Sequence, residues 1–116
     1  WSSKLANYAA SWAQRCSFEH GQPAEAKNDG YIGQNLYVSS SPNVNFESAI
    51  QSWYDEKPYY NYSSNTCRSN KMCGHYTQIV WATTTEVGCA VQVCNNGISI
   101  AGYSSGHIIV CNYLPP

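Results

Sequence analysis

Charge is scarce in this chain. Its 116 residues include 6 Lys plus Arg and 7 Asp plus Glu, a charged fraction of 11% and a net charge of −1. An average soluble domain carries roughly 25%. With no basic run, the sequence offers little to the phosphates of a nucleic acid. Long apolar stretches are also missing, and none approaches the ~20 residues of a membrane helix. No H-E-x-x-H occurs, so a zincin helix is absent. A paired set of short C-x2–4-C spacings, the mark of a structural zinc site, is lacking as well. Trp1 opens no signal-peptide pattern and already reads as part of a folded element, so the expectation is a mature fragment or a piece of a longer protein.

Cysteine and aromatic residues are abundant instead. Six cysteines, ten Tyr and four Trp stand in a length that suits one domain. An even and dense cysteine set points to a disulfide framework in an oxidising compartment, hence to a secreted, extracellular protein. Three bridges worth ~2–4 kcal/mol each compensate for a charge-poor surface and a small core. Asn61-Tyr62-Ser63 is an N-glycosylation sequon, in keeping with secretion.

The apolar pattern begins with a helix. Leu5, Ala9, Trp12, Ala13 and Cys16 form one stripe, with Ser2 or Ser3 as the N-cap. Gly21 to Gly33 is polar and aperiodic, a surface loop. Gln34 to Ser39 reads as a short strand with Leu36 and Val38 on one face. After a loop, Asn45 caps a second helix whose stripe is Phe46, Ala49, Ile50 and Trp53, with Pro58 beyond its end. Tyr59 to Asn70 is loop-like. Val87 to Cys94 alternates as a strand with Val87, Cys89, Val91 and Val93 on one face. Asn95-Asn96-Gly97 signals a turn, and strands are expected over Ile98 to Tyr103 and His107 to Tyr113. The sum is α+β, with helices packed on an antiparallel sheet.

Strand geometry orders the disulfide pairings. Cys89 and Cys94 sit on opposite faces, roughly 16 Å apart if extended, whereas a bridge needs Cα atoms within about 7 Å. Cys67–Cys73 closes a small loop. Adjacent strands favour Cys89–Cys111, which leaves Cys16–Cys94 between the first helix and the sheet. Six cysteines allow fifteen pairings, so this is an order of preference.

A string then stands out. Gly74-His75-Tyr76-Thr77-Gln78-Ile79-Val80-Trp81 resembles the signature of the CAP superfamily: cysteine-rich secretory proteins, antigen 5 and pathogenesis-related proteins. Ile109-Val110-Cys111-Asn112-Tyr113 resembles that superfamily's second signature. Cys16-Ser17-Phe18-Glu19-His20, Gly33-Gln34-Asn35-Leu36-Tyr37, Trp53-Tyr54-Asp55-Glu56 and Val87-Gly88-Cys89-Ala90 match further landmarks in the family's order. Cys67 and Cys73 ahead of the Gly-His-Tyr-Thr-Gln string resemble the animal glioma-pathogenesis-related-like group most.

The resemblance implies a three-layer α-β-α sandwich on a central antiparallel sheet, formed here by a single CAP domain over 1–116. It also implies an earlier helix than the one that opens this sequence, so the domain is expected to be N-terminally truncated. It further implies a cleft where two His and two acids converge. Carried onto this sequence, the histidines are His20 and His75 and one acid is Glu56; the other position holds Gln34. Two imidazoles with nearby carboxylates can hold Zn²⁺ or another divalent ion. Gln34 removes a negative charge and weakens that attraction. The competing expectation is a hydrogen-bonded cleft without metal.

Three functions follow. The leading one is a secreted binding, signalling or defence-related module, not an enzyme, whose partner is an extracellular protein or lipid. The second is sterol or fatty-acid binding through Tyr59, Tyr60 and Tyr62. A Tyr-rich loop packed on the domain is the plainer account of the same residues, and a glycan on Asn61 would sit among them. The third is metal-dependent hydrolysis, in which Glu56 would have to accept the proton because Gln34 has no basic oxygen.

Overall fold

The computed structural model describes residues 1–41 and 43–116. Helix α1, Ser3–Ala13, starts where Ser2 accepts the Leu5 amide hydrogen on its hydroxyl. A 3-10 turn, Ala24–Asp29, follows in what the sequence suggests is irregular loop. Strand β1 is Gly33–Ser39. Helix α2, Phe46–Tyr54, is capped by Asn45, which accepts from the Ser48 amide. A two-residue hairpin, β2 (Tyr60–Asn61) and β3 (Thr66–Cys67), interrupts the expected loop over Tyr59 to Asn70. Helix α3, Gly74–Ile79, then leads to β4, Glu86–Cys94, and β5, Gly106–Leu114.

The main sheet is antiparallel in the order β1-β5-β4. Its central strand β5 is buried on both faces, so its sequence is a nearly unbroken apolar run. Ile108 and Val110 face α1, joining Leu36, Ala9, Ala13, Cys94 and Ile98. Ile109, Cys111 and Tyr113 face the other way, joining Ala49 and Trp53 of α2, with Ile79 of α3 packed against them. Helices therefore cover both faces, which makes a three-layer sandwich.

Helix α1 lies directly on β4 because residue 88 is glycine. A Cβ there would collide with the Ala6 backbone nitrogen, and would come within 2.5 Å of the Ser2 carbonyl oxygen. The Ser2 amide also donates to the Val87 carbonyl at 2.7 Å. The buried side of β4 is thus Gly88 and Cys94. On the side with the apolar alternation, Val87 and Cys89 touch the core, while Val91 and Val93 are about half exposed.

Other expectations also need correction. Helix α1 ends at Ala13, so Cys16 belongs to the turn after it. On α2 only Ala49 and Trp53 are buried; Phe46 and Ile50 stay exposed. Ile98 to Tyr103 is a turn instead of a strand: Ile98 bridges Tyr103, and Ser99 bridges Ser17. The six-residue α3 went unexpected because its apolar positions are too few for a helical period. The cysteines pair as Cys16–Cys94, Cys67–Cys73 and Cys89–Cys111. Cys89 and Cys111 are direct cross-strand partners.

Candidate functional site

The site lies at the end of the sheet where β1 forms the edge. Successive β1 residues point to opposite faces, so Gln34 and Asn35 serve different layers. Gln34 is paired in register with Asn112 on the α1 side. Asn35, 1% exposed, lies on the side of α3 and donates its amide to the His75 carbonyl and the Tyr113 hydroxyl, both at 3.2 Å. The Gln78 side chain of α3 packs over Gly33: a Cβ there would lie 2.6 Å from its Oε1.

Gln34 makes four contacts. Its Oε1 accepts from the Gly21 amide at 3.2 Å and lies 2.9 Å from His20 Nδ1. Its Nε2 donates to the Gly21 carbonyl at 2.8 Å and to Asn112 Oδ1 at 3.2 Å. Donation to a carbonyl fixes which end of the amide is nitrogen. The oxygen must then face His20, and His20 Nδ1 must carry a hydrogen. In the neutral ring that leaves the Nε2 lone pair free.

His75 is set by the same logic from a different partner. Glu56, one residue past the C-cap of α2, accepts the His75 and Tyr76 amide hydrogens on Oε1, each at 3.0 Å. Its Oε2 lies 2.7 Å from His75 Nδ1. The carboxylate thus satisfies the free N–H groups at the start of α3 and holds the His75 ring, again with hydrogen on Nδ1. Trp53 stacks on that ring at 6.1 Å and 11°, while its Nε1 donates to the Leu36 carbonyl. The imidazole is packed as well as hydrogen-bonded.

His20, Gln34 and His75 line one recess of about 250 Å³, together with Tyr31, Asn35, Met72 and Gly74. Glu56 lies behind His75 and does not line it. Sequence reasoning missed Asn35, Tyr31 and Met72. The only signal for Asn35 was an amide inside an otherwise apolar strand; Tyr31 and Met72 sit in loops that carry no pattern.

The donor set decides what the recess can hold. Among the described residues, no group of three or more His, Cys, Asp or Glu side chains could hold a metal ion. Zinc centres normally use three or four such ligands. Glu56 is spent on two amides and one ring nitrogen, and Gln34 on its own bonds. What remains uncommitted in the recess is two imidazole nitrogens, each ring oriented from behind.

Tyr59, Tyr60 and Tyr62 together line an open pocket of about 420 Å³ at the hairpin. Tyr60 and Tyr62 line a second pocket of about 340 Å³ with Thr77, Val80, Trp81, Ala82 and Thr83. Tyr76 packs against Tyr54 and Tyr60 and fixes α3 beside the hairpin. Tyr59 lies outside that pocket, under the Lys71 ammonium at 4.7 Å. Asn61 is exposed, and its Oδ1 accepts from the Ser64 amide.

With this geometry in view, comparison with known proteins is decisive. The model of the CAP family, described as the cysteine-rich secretory protein family, matches residues 1–113. The chain belongs to the CAP family. It is 40% identical over 123 residues to GLIPR1-like protein 1 of Mus musculus, covering 99% of this chain and 48% of that protein. It is 39% identical over 120 residues to pathogenesis-related protein PR-1 of Medicago truncatula, covering 100% of this chain and 61% of that one. Among solved structures, Schistosoma mansoni venom allergen-like protein 4 superposes with a TM-score of 0.73 at 35% identity, covering 99% of this chain and 66% of the other. This CAP chain therefore spans about half to two thirds of the length of these relatives. Among the described residues, no helix is long and apolar enough to cross a membrane.

Proposed function

We propose that this CAP chain is a secreted binding module of the defence and signalling type, whose His20/His75 recess takes up a cation weakly and whose exposed loops meet an extracellular partner. One observation carries the cation reading: both imidazoles have Nδ1 tied to a fixed oxygen, by Gln34 and by Glu56. Rings held this way keep Nε2 available without a reorientation cost. With two neutral ligands and no carboxylate in the recess, a divalent ion is held loosely and exchanges. The test is calorimetric titration of Zn²⁺ into the oxidised chain. Weak one-to-one binding is expected, lost in His20→Ala and in His75→Ala. Affinity unchanged by both substitutions removes the recess from the account.

Catalysis has no part in this reading. All six cysteines are in disulfides. Glu56 already accepts three hydrogen bonds, so a water-activating role would require breaking the cap of α3.

A second reading rests on the pocket between the hairpin and α3. Tyr62 and Trp81 are exposed there, at 89% and 53%, and Val80 completes an apolar wall. A sterol or fatty acid would bury that surface. Tyr62→Ser and Trp81→Ser should abolish cholesterol binding, and Tyr59→Ser should leave it intact. An N-glycan on Asn61 would stand beside the entrance; enzymatic deglycosylation of the secreted chain should then raise lipid uptake.

A further inference from the structure

The recess holds a third donor that the reading above leaves unused. Met72 lines it beside His20 and His75. Its side chain is accessible, at 67% exposure, yet its backbone is anchored. The next residue, Cys73, is buried and bridged to Cys67. Residue 72 therefore cannot drift far from the start of α3, where His75 sits.

We propose that the recess is a site for monovalent copper, held by the His20 and His75 imidazoles and the Met72 thioether. This rests on the recess being a cation site at all, and names the ion it favours. Three arguments converge. First, the available donors are all neutral, which suits a singly charged ion better than Zn²⁺, whose sites draw on several ligands and often on thiolate or carboxylate charge. Second, a thioether is a soft donor that selects Cu⁺ over Zn²⁺. Third, glutamine at position 34 keeps the His20 side free of carboxylate. A carboxylate there would attract hard divalent ions, and it could not donate to the Gly21 carbonyl and Asn112 as the amide does. The same amide sets the His20 tautomer that exposes a ligating nitrogen. Two imidazoles and one sulfur give a low-coordinate set, and the open recess leaves room for a further ligand from solution or from a partner. Binding involves no electron transfer by the chain.

The test uses the intact, oxidised 116-residue chain and copper itself. Cu⁺ is supplied anaerobically with ascorbate, and affinity is read by competition with the chromophoric chelator bicinchoninate. Zn²⁺ is titrated in parallel by calorimetry. The expected result is one Cu⁺ per chain, bound at least about 100-fold tighter than Zn²⁺. Met72→Leu, at an exposed position that tolerates change, should weaken Cu⁺ by at least about tenfold and leave Zn²⁺ unaffected. X-ray absorption on the loaded chain should show a sulfur in the copper shell, absent in Met72→Leu. Cu⁺ affinity unchanged by Met72→Leu, or a copper shell without sulfur, overturns the copper assignment while leaving the weak Zn²⁺ reading standing. Failure of both ions to bind overturns both. Near-ultraviolet circular dichroism on each variant separates lost ligation from lost folding, and Met72→His should restore an affinity lost through the thioether alone.

Discussion

Glu56 reaches His75 two ways, through the ring Nδ1 at 2.7 Å and through the His75 amide, and it also accepts from the adjacent Tyr76 amide. One carboxylate at the end of α2 thereby fixes both the start of α3 and the tautomer of the imidazole it carries. Glu56→Ala should lower stability by about 2–3 kcal/mol, the scale for hydrogen bonds to a charged group, as read by urea denaturation. Glu56→Gln separates the two roles. Its amide oxygen can still cap α3, but its NH₂ would face His75 Nδ1. The ring should then move its hydrogen to Nε2, visible in the ¹⁵N shifts of the imidazole, and Zn²⁺ binding should fall with little loss of stability.

Gln34 is chemically an amide at its position. In Gln34→Glu both oxygens are acceptors, and one meets the Gly21 carbonyl and Asn112 Oδ1 where a donor stood. We expect a loss of about 1–3 kcal/mol at neutral pH, the cost of unmatched polar contacts. Protonating the new carboxyl gives it a donor again. The gap from wild type should therefore narrow in acid, and denaturation midpoints at two pH values check it.

Asp29 ties α1 to the 3-10 turn. Hydrogen bonds from Lys4 at 2.7 Å, then from Tyr8 at 2.7 Å, hold its carboxyl below the ordinary value of 3.8. A lowered folded-state pKa means that the contact adds stability above the ordinary value and loses it as pH falls through the folded one. The pair is solvated, so its contribution is small. Asp29→Asn should unfold at a lower temperature than wild type near about pH 6. The two should converge as the pH falls well below 3.8.

Tyr113 behaves in the opposite sense. Burial pushes its hydroxyl up to about 12, against an opposing hydrogen bond with Asn35. A raised folded-state pKa means that the stabilisation is complete below the ordinary value of 10.0 and is lost as pH rises towards 12. The span corresponds to about 2–3 kcal/mol. Short-exposure titration followed at the phenolate absorbance should show a tyrosine titrating at about 12, and Tyr113→Phe should remove it. Its alkaline unfolding should also be less steep over this interval.

How much of this was legible in the sequence differs from element to element. The start of the α1 stripe, the Asn45 cap and the strand at β5 follow from the local sequence, and the structure contains all three. Alternation in β4 is visible in the sequence too, but it leaves open which side is buried. Periodicity assigns residues to a face; it does not say which face a helix will cover. Gly88 decided that, because only a residue without Cβ lets α1 approach so closely. Likewise, Phe46 and Ile50 continue an apolar stripe on paper, yet the sheet receives only Ala49 and Trp53.

The site divides in the same way. The sequence by itself determined its chemistry: two imidazoles, one carboxylate, an amide in the place of an acid, and no free thiol, all carried by ordered motifs. Tertiary structure alone decided the roles. Gln34 and Asn35 are neighbours in sequence but serve opposite layers, because strand side chains alternate. Glu56 and His75 lie 19 residues apart and meet because α2 and α3 stack. Met72 lines the recess next to Cys73, which the bridge to Cys67 ties to the loop. Residue type is a local property that the sequence states outright. Which donor meets which acceptor depends on how distant segments close on one another, and only the folded chain sets those distances.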